Sequence, residues 1–201
     1  MKAVAKRGFD VLFAGVGLVL AAPFFLVIWL LIRAGEGGPG FYRQQRVGRH
    51  GRPFAIIKFR TMRVGADKAG PSITKAGDDR ITSVGRWLRT TKLDELPQLW
   101  NVLCGDMSFV GPRPEVPKYV VLYTPEQRRV LELRPGITDE ASVVFRDEEA
   151  LLAAVADPEQ YYVDYCIPKK IMLNLAYAER ASLWQDVWVI LRTIGAVWLR
   201  R

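Results

Sequence analysis

Two adjacent carboxylates, Asp94 and Glu95, lie in the stretch KLDELPQ of a chain whose formal net charge is +8. Pro97 follows them, and proline fits the first turn of a helix, where backbone N–H groups lack intrahelical partners. Local spacing therefore predicts Asp94 as a helix N-cap and Glu95 as a first-turn acid. This structural role does not exclude chemistry, because the N–H groups at the start of a helix can also bind a phosphate.

The same pair is suited to phosphoryl chemistry. Carboxylate oxygens are ligands that Mg²⁺ prefers, and a carboxylate can itself form a covalent acyl-phosphate. Attack by an anion on a phosphoanhydride also needs cations that neutralise charge. Asp94 and Glu95 are therefore candidate Mg²⁺ ligands and candidates for phosphoryl transfer.

Basic residues in rigid or apolar surroundings are the candidates for binding phosphate. Arg113 in GPRPE is the most specific, because a Gly-Pro turn fixes the guanidinium group and its forked donors match phosphate oxygens. The other candidates are Arg43, Arg46, Lys58, Arg60, Arg134 and Arg146. Any one of these alone is typical of a solvated charge or of a residue that faces anionic lipid.

Length and composition limit the classes of protein. The chain has 201 residues, half of them apolar, which suits one domain plus an attachment. The excess of basic residues predicts an anionic partner, which can be nucleic acid, anionic lipid or a phosphorylated small molecule. Two cysteines and one histidine argue against a zinc site, a Ser-His-Asp triad and a disulfide framework, and they fit a reducing, cytosolic face.

Residues 11–32 form an uncharged, almost wholly apolar run that is long enough to cross a bilayer. Basic residues flank both ends, so the positive-inside rule predicts that both ends are cytoplasmic. Pro23 lies just past the middle of the run, where proline kinks a helix. We therefore expect a helix that enters the membrane, bends at Pro23 and leaves by the same face. A proline-kinked span with a basic outer domain is the alternative.

The remaining elements surround this membrane segment. FYRQQRVGRHGRPFAIIKFRTM predicts a β-hairpin around the turn GRHG, and RITSVGRWLRTTK predicts a short amphipathic helix. The C-terminal stripe predicts an interfacial helix with basic flanks, and its members are Trp184, Val187, Trp188, Leu191, Ile194 and Trp198, with Arg192, Arg200 and Arg201. The predicted fold class is α+β, mostly α, with a membrane helix at 1–34 and a cytosolic, membrane-associated catalytic domain at 35–201.

The chain resembles the bacterial sugar transferases, or monotopic phosphoglycosyl transferases, along nearly its whole length. The likeness is carried, in order, by KRGFD, FYRQQRVGRHGRPFAIIKFRTM, RITSVGRWLRTTKLDELPQLWNVLCGDMSFVGPRPE and RPGIT. Members of this family pass a sugar-1-phosphate from a UDP-sugar to undecaprenyl phosphate at the cytoplasmic face of the membrane. The resemblance thus implies an enzyme of polysaccharide or glycoconjugate assembly.

For this chain the resemblance implies Asp94 as nucleophile, with Glu95 beside it, Mg²⁺ at the pair and a covalent aspartyl-phosphosugar formed as UMP leaves. It implies a re-entrant helix broken at Pro23. The phosphate-binding residues expected with it are Lys58, Arg60, Arg89, Arg113 and Arg146. The expected partners are a UDP-sugar, undecaprenyl phosphate and the inner leaflet of the bacterial cytoplasmic membrane, with both termini cytoplasmic and no nucleic acid. A homodimer is left open.

Two stretches depart from the family pattern. Ala22 precedes Pro23 where the family usually has serine, so a hydroxyl bond back to the broken turn is absent. After RPGIT the chain reads DEASVVFRDE, where many members continue with Gly, Ala-Gln-Val and Gly-Arg, and this bears on Arg146 and on sugar specificity. The rival functions are a noncatalytic basic membrane protein that binds anionic lipid or nucleic acid, and a membrane phosphohydrolase that uses the same acids.

Overall fold

The computed structural model describes residues 2–66, 70 and 73–198, and it has the predicted mostly helical α+β architecture. The strands are β1 (Phe41–Val47), β2 (Pro53–Phe59), β3 (Ser108–Val110) and β4 (Gly136–Thr138). The helices are α1 (Lys2–Glu36), α2 (Ser83–Thr91), α3 (Gln98–Cys104), α4 (Pro117–Val120), α5 (Pro125–Arg128), α6 (Glu140–Val144), α7 (Glu148–Ala153), α8 (Pro158–Tyr161), α9 (Ile167–Arg180) and α10 (Leu183–Trp198).

Helix α1 runs without interruption from Lys2 to Glu36, with Pro23 inside it. The helical assignment thus continues through Pro23, where proline removes one hydrogen bond, and packing holds the turns on both sides; a bend at Pro23 stays a prediction. The stretch Val4–Gly35 is the one helix of the described residues that is long and apolar enough to cross a membrane, by length and composition alone. A re-entrant path for it stays a prediction.

One stripe of α1 packs on the rest of the chain. Near its start, Arg7 donates to the carbonyl oxygen of Val102 at 2.6 Å, and Ala14 is buried against α3. Near its end, Ile28 and Ile32 are buried against β2 and α2. The helix thus shares its hydrophobic core with residues beyond 35. Its remaining surface exposes Val11, Leu12, Phe13, Val16, Val19, Leu20, Phe24, Leu26, Val27, Leu30 and Leu31.

Strands β1 and β2 form the predicted antiparallel hairpin. Asn101 of α3 is buried and bonds to the edge of β2 that faces away from β1. Its Oδ1 accepts from the Ile57 N–H at 3.1 Å, and its Nδ2 donates to the Ala55 carbonyl at 2.9 Å. This amide ties the middle of α3 to the strand that carries Lys58.

Strands β3 and β4 form a short parallel ladder that the sequence did not predict. The Gly111 N–H donates to the Thr138 carbonyl and the Gly136 N–H to the Pro112 carbonyl, both at 3.0 Å. The two backbones approach so closely that a Cβ atom on Gly136 would lie 2.2 Å from the Gly111 nitrogen. Glycine is required here because any side chain would overlap the facing backbone, and the ladder holds the turn that carries Arg113.

The C-terminal helix α10 has the predicted apolar stripe wherever its side chains are described. The exposed members are Trp184, Trp188, Leu191 and Ile194. On the opposite side Asp186 is buried and bonds with Lys6 of α1 and the Tyr177 hydroxyl, so α10 is fixed beside the start of α1. The predictions made for the Trp198 side chain and for Arg200 and Arg201 fall outside the described residues.

Candidate active site

The acid pair lies on a short turn between α2 and α3. The chain reverses after α2 at Lys92, whose backbone is left-handed (φ 57°), and Leu93–Glu95 then form one 3-10 turn. Helix α3 begins at Gln98, with Pro97 in the N-cap position and no side-chain cap. The predicted capping role of Asp94 is therefore wrong, because the additional turn places Asp94 too far before α3.

Glu95 is held by two cations from distant parts of the chain. Lys58 of β2 donates to Oε1 at 3.1 Å. Arg113 contacts both carboxylate oxygens, with Nη1 at 3.2 Å from Oε2 and Nη2 close to Oε1. Burial by itself would raise the pKa of Glu95, but Arg113 and then Lys58 outweigh it and hold that pKa well below its ordinary value. Glu95 is therefore ionised at neutral pH and fixes both cations in place.

Asp94 is as buried as its neighbour but has fewer partners. Only 7% of its surface is exposed, and its Oδ1 is shielded from solvent with no hydrogen-bond partner among the described residues. Burial, and next the charge of Glu95, raises the pKa of Asp94. A buried carboxylate oxygen that lacks a hydrogen-bond donor costs free energy of folding. Because no described residue occupies this oxygen, it is available to bond to a phosphorus atom, a proton or a metal ion.

Cations surround the acid pair. Lys58, Lys92 and Arg89 act electrostatically on Asp94, and Arg113 acts most strongly on Glu95. Burial lowers the pKa of Lys58 to about 8, although Glu95 opposes this shift. Four cations thus act on the acid pair, although Arg89 also pairs with Glu149. Cations gathered at one turn suit an anionic substrate such as a diphosphate.

Arg113 is positioned by a buried carboxylate as well as by the β3–β4 ladder. The Arg113 N–H donates to Asp139 Oδ2 at 3.2 Å, and Asn174 Nδ2 donates to the same oxygen at 2.7 Å. The Ser142 N–H donates to Asp139 Oδ1 at 2.6 Å. Because Asp139 is only 1% exposed and three donors fix it, the backbone of the Arg113 turn is held from two sides.

The structure brings three of the predicted phosphate ligands to the acid pair. Lys58 and Arg113 contact Glu95 directly. Arg89 of α2 acts on Asp94 while its Nη2 lies 2.7 Å from Oε1 of Glu149. Phosphate binding by these residues stays a prediction, but their placement is compatible with it.

The other two predicted phosphate ligands lie elsewhere. Arg146 is exposed, with Nε 3.4 Å from Oδ2 of its neighbour Asp147, and no hydrogen bond or ion pair found among the described residues joins it to the acid pair. Arg60 follows β2 and lines a separate cavity near the end of α1. Pro23 lies within α1, in the middle of the membrane segment.

Sequence reasoning missed three residues of the site. Lys92 stands beside the acids in TTKLDE, and its left-handed backbone could not be inferred from neighbours. Asn101 is the polar residue inside the apolar run LWNVLCG, and such a residue predicts a buried hydrogen bond. Asp139 comes directly after RPGIT, but only the folded chain shows that it meets Arg113.

The donor set fits Mg²⁺ only in part. No group of three or more His, Cys, Asp or Glu that could hold a metal ion is found in the described part of the chain. The unpartnered oxygen of Asp94 is a suitable ligand, whereas both oxygens of Glu95 face Arg113 or Lys58. Because Mg²⁺ often binds one or two carboxylates together with substrate phosphates, the pair suits an ion that a diphosphate helps to hold.

Comparisons with known proteins point to one group. The family model described as bacterial sugar transferase matches residues 1–200. The chain is 40% identical over 197 residues to the UDP-glucose:undecaprenyl-phosphate glucose-1-phosphate transferase of Caulobacter vibrioides, and the match covers 96% of this chain and 69% of that protein.

Two further relatives show the same likeness at different lengths. The undecaprenyl-phosphate galactose phosphotransferase of Salmonella typhimurium is 36% identical, with 98% of this chain and 40% of that protein covered. The exopolysaccharide production protein ExoY of Rhizobium meliloti is 35% identical, with 98% of this chain and 87% of that protein covered.

Proposed function

Because the chain belongs to the bacterial sugar transferase family and is thus a transferase, we propose that it transfers a sugar-1-phosphate from a UDP-sugar to undecaprenyl phosphate and releases UMP. One observation carries this proposal: Asp94 keeps a shielded, unpartnered carboxylate oxygen, while Glu95 beside it holds two cations. The substrates follow the names of the relatives, which specify glucose for the Caulobacter protein and galactose for the Salmonella protein.

The proposed reaction consists of two displacements at the phosphorus atom that bears the sugar. In the first, a carboxylate oxygen of Asp94 bonds to this phosphorus, the bond to the UMP oxygen breaks, and UMP leaves with the electron pair. In the second, a phosphate oxygen of undecaprenyl phosphate bonds to the same phosphorus and Asp94 leaves as a carboxylate. The lipid then carries a sugar diphosphate, and the enzyme is regenerated.

We propose that the fixed cations lower the activation barrier of both displacements. Glu95 holds Lys58 and Arg113 beside Asp94 before substrate binds, so both cations are already near the phosphoryl oxygens whose charge they stabilise. Lys92 and Arg89 reduce the repulsion between Asp94 and an incoming diphosphate. Asp94, and Glu95 once it releases a cation, would hold Mg²⁺, which when bound neutralises diphosphate charge and improves UMP as a leaving group.

We place α1 in the inner leaflet of the bacterial cytoplasmic membrane, with both termini in the cytoplasm. Its contacts with the rest of the chain begin at Arg7 and continue to Ile32, a distance of about 38 Å at 1.5 Å per residue. The hydrocarbon core of a bilayer is only about 30 Å thick, so a spanning α1 would force the domain packed along it into lipid. Packing along the whole helix therefore supports a one-sided placement, with the exposed apolar surface in lipid.

Isotope exchange tests the covalent step. Purified protein with Mg²⁺, a UDP-sugar and labelled UMP, but no polyprenyl phosphate, is expected to move label into the UDP-sugar, because the first displacement is reversible before any acceptor binds. The donor is chosen from a panel of UDP-sugars as the one that gives the fastest UMP release with undecaprenyl phosphate present. Asp94→Asn is expected to abolish exchange, since the amide has a similar shape but is a poor nucleophile.

The matched control is Asp79→Asn, which makes the same chemical change at an exposed aspartate and is expected to keep the exchange rate within about twofold. Exchange near the wild-type rate in folded Asp94→Asn would show that this carboxylate is not the nucleophile. Release of free phosphate in place of lipid product would favour a membrane phosphohydrolase.

A further inference from the structure

A cavity lined by described residues lies where α1 ends. It has a volume of about 160 Å³ and lies between the last turn of α1, the segment that follows β2 and the start of α2. Its walls include the apolar residues Ile32, Val64 and Val84 and the hydroxyl groups of Thr82 and Ser83. We call it the exit cavity, because it lies where the chain leaves the apolar helix.

The charged side chains that the structure describes at the exit cavity are arginines. Among the described residues that line it, the charged ones are Arg60 and Arg63, and no carboxylate is present. Such a lining is unsuited to a cation or a neutral sugar, and it suits an anion. The apolar walls beside these arginines add room for a hydrocarbon chain.

Arg60 is fixed by its contacts, but one of its guanidinium nitrogens lacks a hydrogen-bond acceptor among the described residues. Its N–H donates to the Gly40 carbonyl at 2.9 Å, and its guanidinium packs so tightly on Gly38 that a Cβ there would lie 2.5 Å from Nη1. Yet Nη1 is shielded from solvent and has no hydrogen-bond partner among the described residues. A shielded guanidinium donor without an acceptor is unfavourable, and a phosphate oxygen is the acceptor that its geometry suits best.

The position of the exit cavity is at the level of lipid headgroups in the proposed membrane placement. Leu30 and Leu31 on the adjoining turn of α1 are about half exposed. Arg33 lies over the ring of Trp29, with its Cζ 5.3 Å from the ring centroid, and tryptophan with arginine is typical of the boundary between lipid and water. A lipid in the bilayer can thus present its phosphate to the cavity while its chain stays in the apolar layer.

From these observations we propose that the exit cavity binds the phosphate of a membrane lipid, with the phosphate at Arg60 and the first part of the hydrocarbon chain along Ile32, Val64 and Val84. Arg60 follows Lys58 by two residues, a spacing of roughly 7 Å in extended chain, so the same segment of chain carries one cation of the acid pair and the arginine of the exit cavity. The lipid can be the polyprenyl phosphate acceptor or a bilayer phospholipid. The acceptor identity rests on the proposed reaction, whereas binding of a lipid phosphate rests only on the proposed membrane placement of α1.

Native mass spectrometry of the full chain released from detergent tests the proposal without turnover. The probes are a short-chain polyprenyl phosphate, the polyprenol of the same chain length and phosphatidylglycerol. Arg60→Gln is expected to weaken binding of the polyprenyl phosphate at least tenfold and to leave weak polyprenol binding unchanged. Arg52→Gln, the same change at an exposed arginine of the hairpin turn, is expected to stay within twofold of the wild type.

The outcomes separate the two sources of the phosphate. Loss of polyprenyl phosphate binding in Arg60→Gln identifies the acceptor, and loss of phosphatidylglycerol alone identifies a bilayer phospholipid. Unchanged binding of both overturns the proposal. If Arg60→Gln does not fold, Met62→Glu replaces it as the test. This variant keeps Arg60 but places an acid in the cavity wall, so it is expected to weaken binding of the same lipid. Wild-type exchange in Asp94→Asn would overturn the catalytic proposal and leave these binding results intact.

Discussion

The GPRPE turn and the segment 139–149 each carry an arginine, and they hold it in different ways. Arg113 stands on a turn whose backbone is pinned by the β3–β4 ladder, and its guanidinium contacts both oxygens of Glu95. Arg146 stands on an exposed surface and pairs only weakly with its neighbour Asp147. A rigid backbone makes an arginine a fixed electrostatic element, whereas an exposed neighbouring pair adds little stability and no defined direction.

The segment 139–149 nevertheless contributes to the site through its first residue. Asp139 is buried and accepts a hydrogen bond from the Arg113 N–H. The chain thus uses a buried carboxylate directly after RPGIT as support for the Arg113 turn. Substitutions in the two regions are therefore expected to lower stability or activity in a definite order, which from largest to smallest is Gly136, Arg113, Asp139 and Arg146.

The largest effect is expected from Gly136→Ala, which removes the ladder that distinguishes the two regions. A Cβ atom there would lie 2.2 Å from the Gly111 nitrogen, so the two segments must separate, with a loss of about 3 kcal/mol in the free energy of unfolding. Thermal unfolding in detergent measures the loss. Gly15→Ala, where a Cβ meets nothing within 4 Å, is the matched control, and equal melting temperatures for the two variants would contradict the close approach.

Arg113→Lys is expected to lower kcat/KM for the UDP-sugar by roughly 10- to 100-fold. Lysine keeps the charge but cannot contact both oxygens of Glu95, and loss of a charge-assisted hydrogen bond is worth about 1.5–3 kcal/mol. UMP release with undecaprenyl phosphate and Mg²⁺ present measures the change. Arg52→Lys at the exposed hairpin turn is the control. Full activity in Arg113→Lys would mean that positive charge alone suffices.

Asp139→Asn is expected to reduce kcat/KM about 10-fold through Arg113 and to destabilise the fold by ~1–3 kcal/mol, because one acceptor oxygen becomes a donor that faces donors. A double-mutant cycle isolates the positioning role: in the Arg113→Lys background the same change should cost clearly less activity. Additive losses would indicate that Asp139 supports stability alone. Asp79→Asn again controls for the chemical change.

Arg146→Gln is expected to have the smallest effect, less than about threefold in kcat/KM, because an exposed ion pair contributes about 0–1 kcal/mol. The same UMP-release assay measures it beside Arg113→Gln. A loss as large as that of Arg113→Gln would show that Arg146 reaches the substrate when it binds. The contrast between the two regions would then hold only for the free enzyme.

The sequence by itself determined the elements whose signals are local. Two β-leaning runs around the turn GRHG predicted the hairpin, the long apolar run predicted α1, and helical spacing predicted the exposed stripe of α10. Adjacent acids and an arginine on a Gly-Pro turn identified the candidate site residues Asp94, Glu95 and Arg113. These features depend on neighbours within a few residues, and such contacts can be inferred from residue type and period.

Tertiary structure decided which of those residues contact one another and where the elements begin and end. It replaced the predicted cap at Asp94 with a separate turn, because Leu93–Glu95 form a 3-10 turn of their own and α3 begins only at Gln98. It kept α1 helical through Pro23, since packing on both sides of the proline holds the turns. It also joined Glu95 to Lys58 and Arg113, and Arg113 to Asp139. Those partners are separated by many residues along the chain, and only the packed core brings them together.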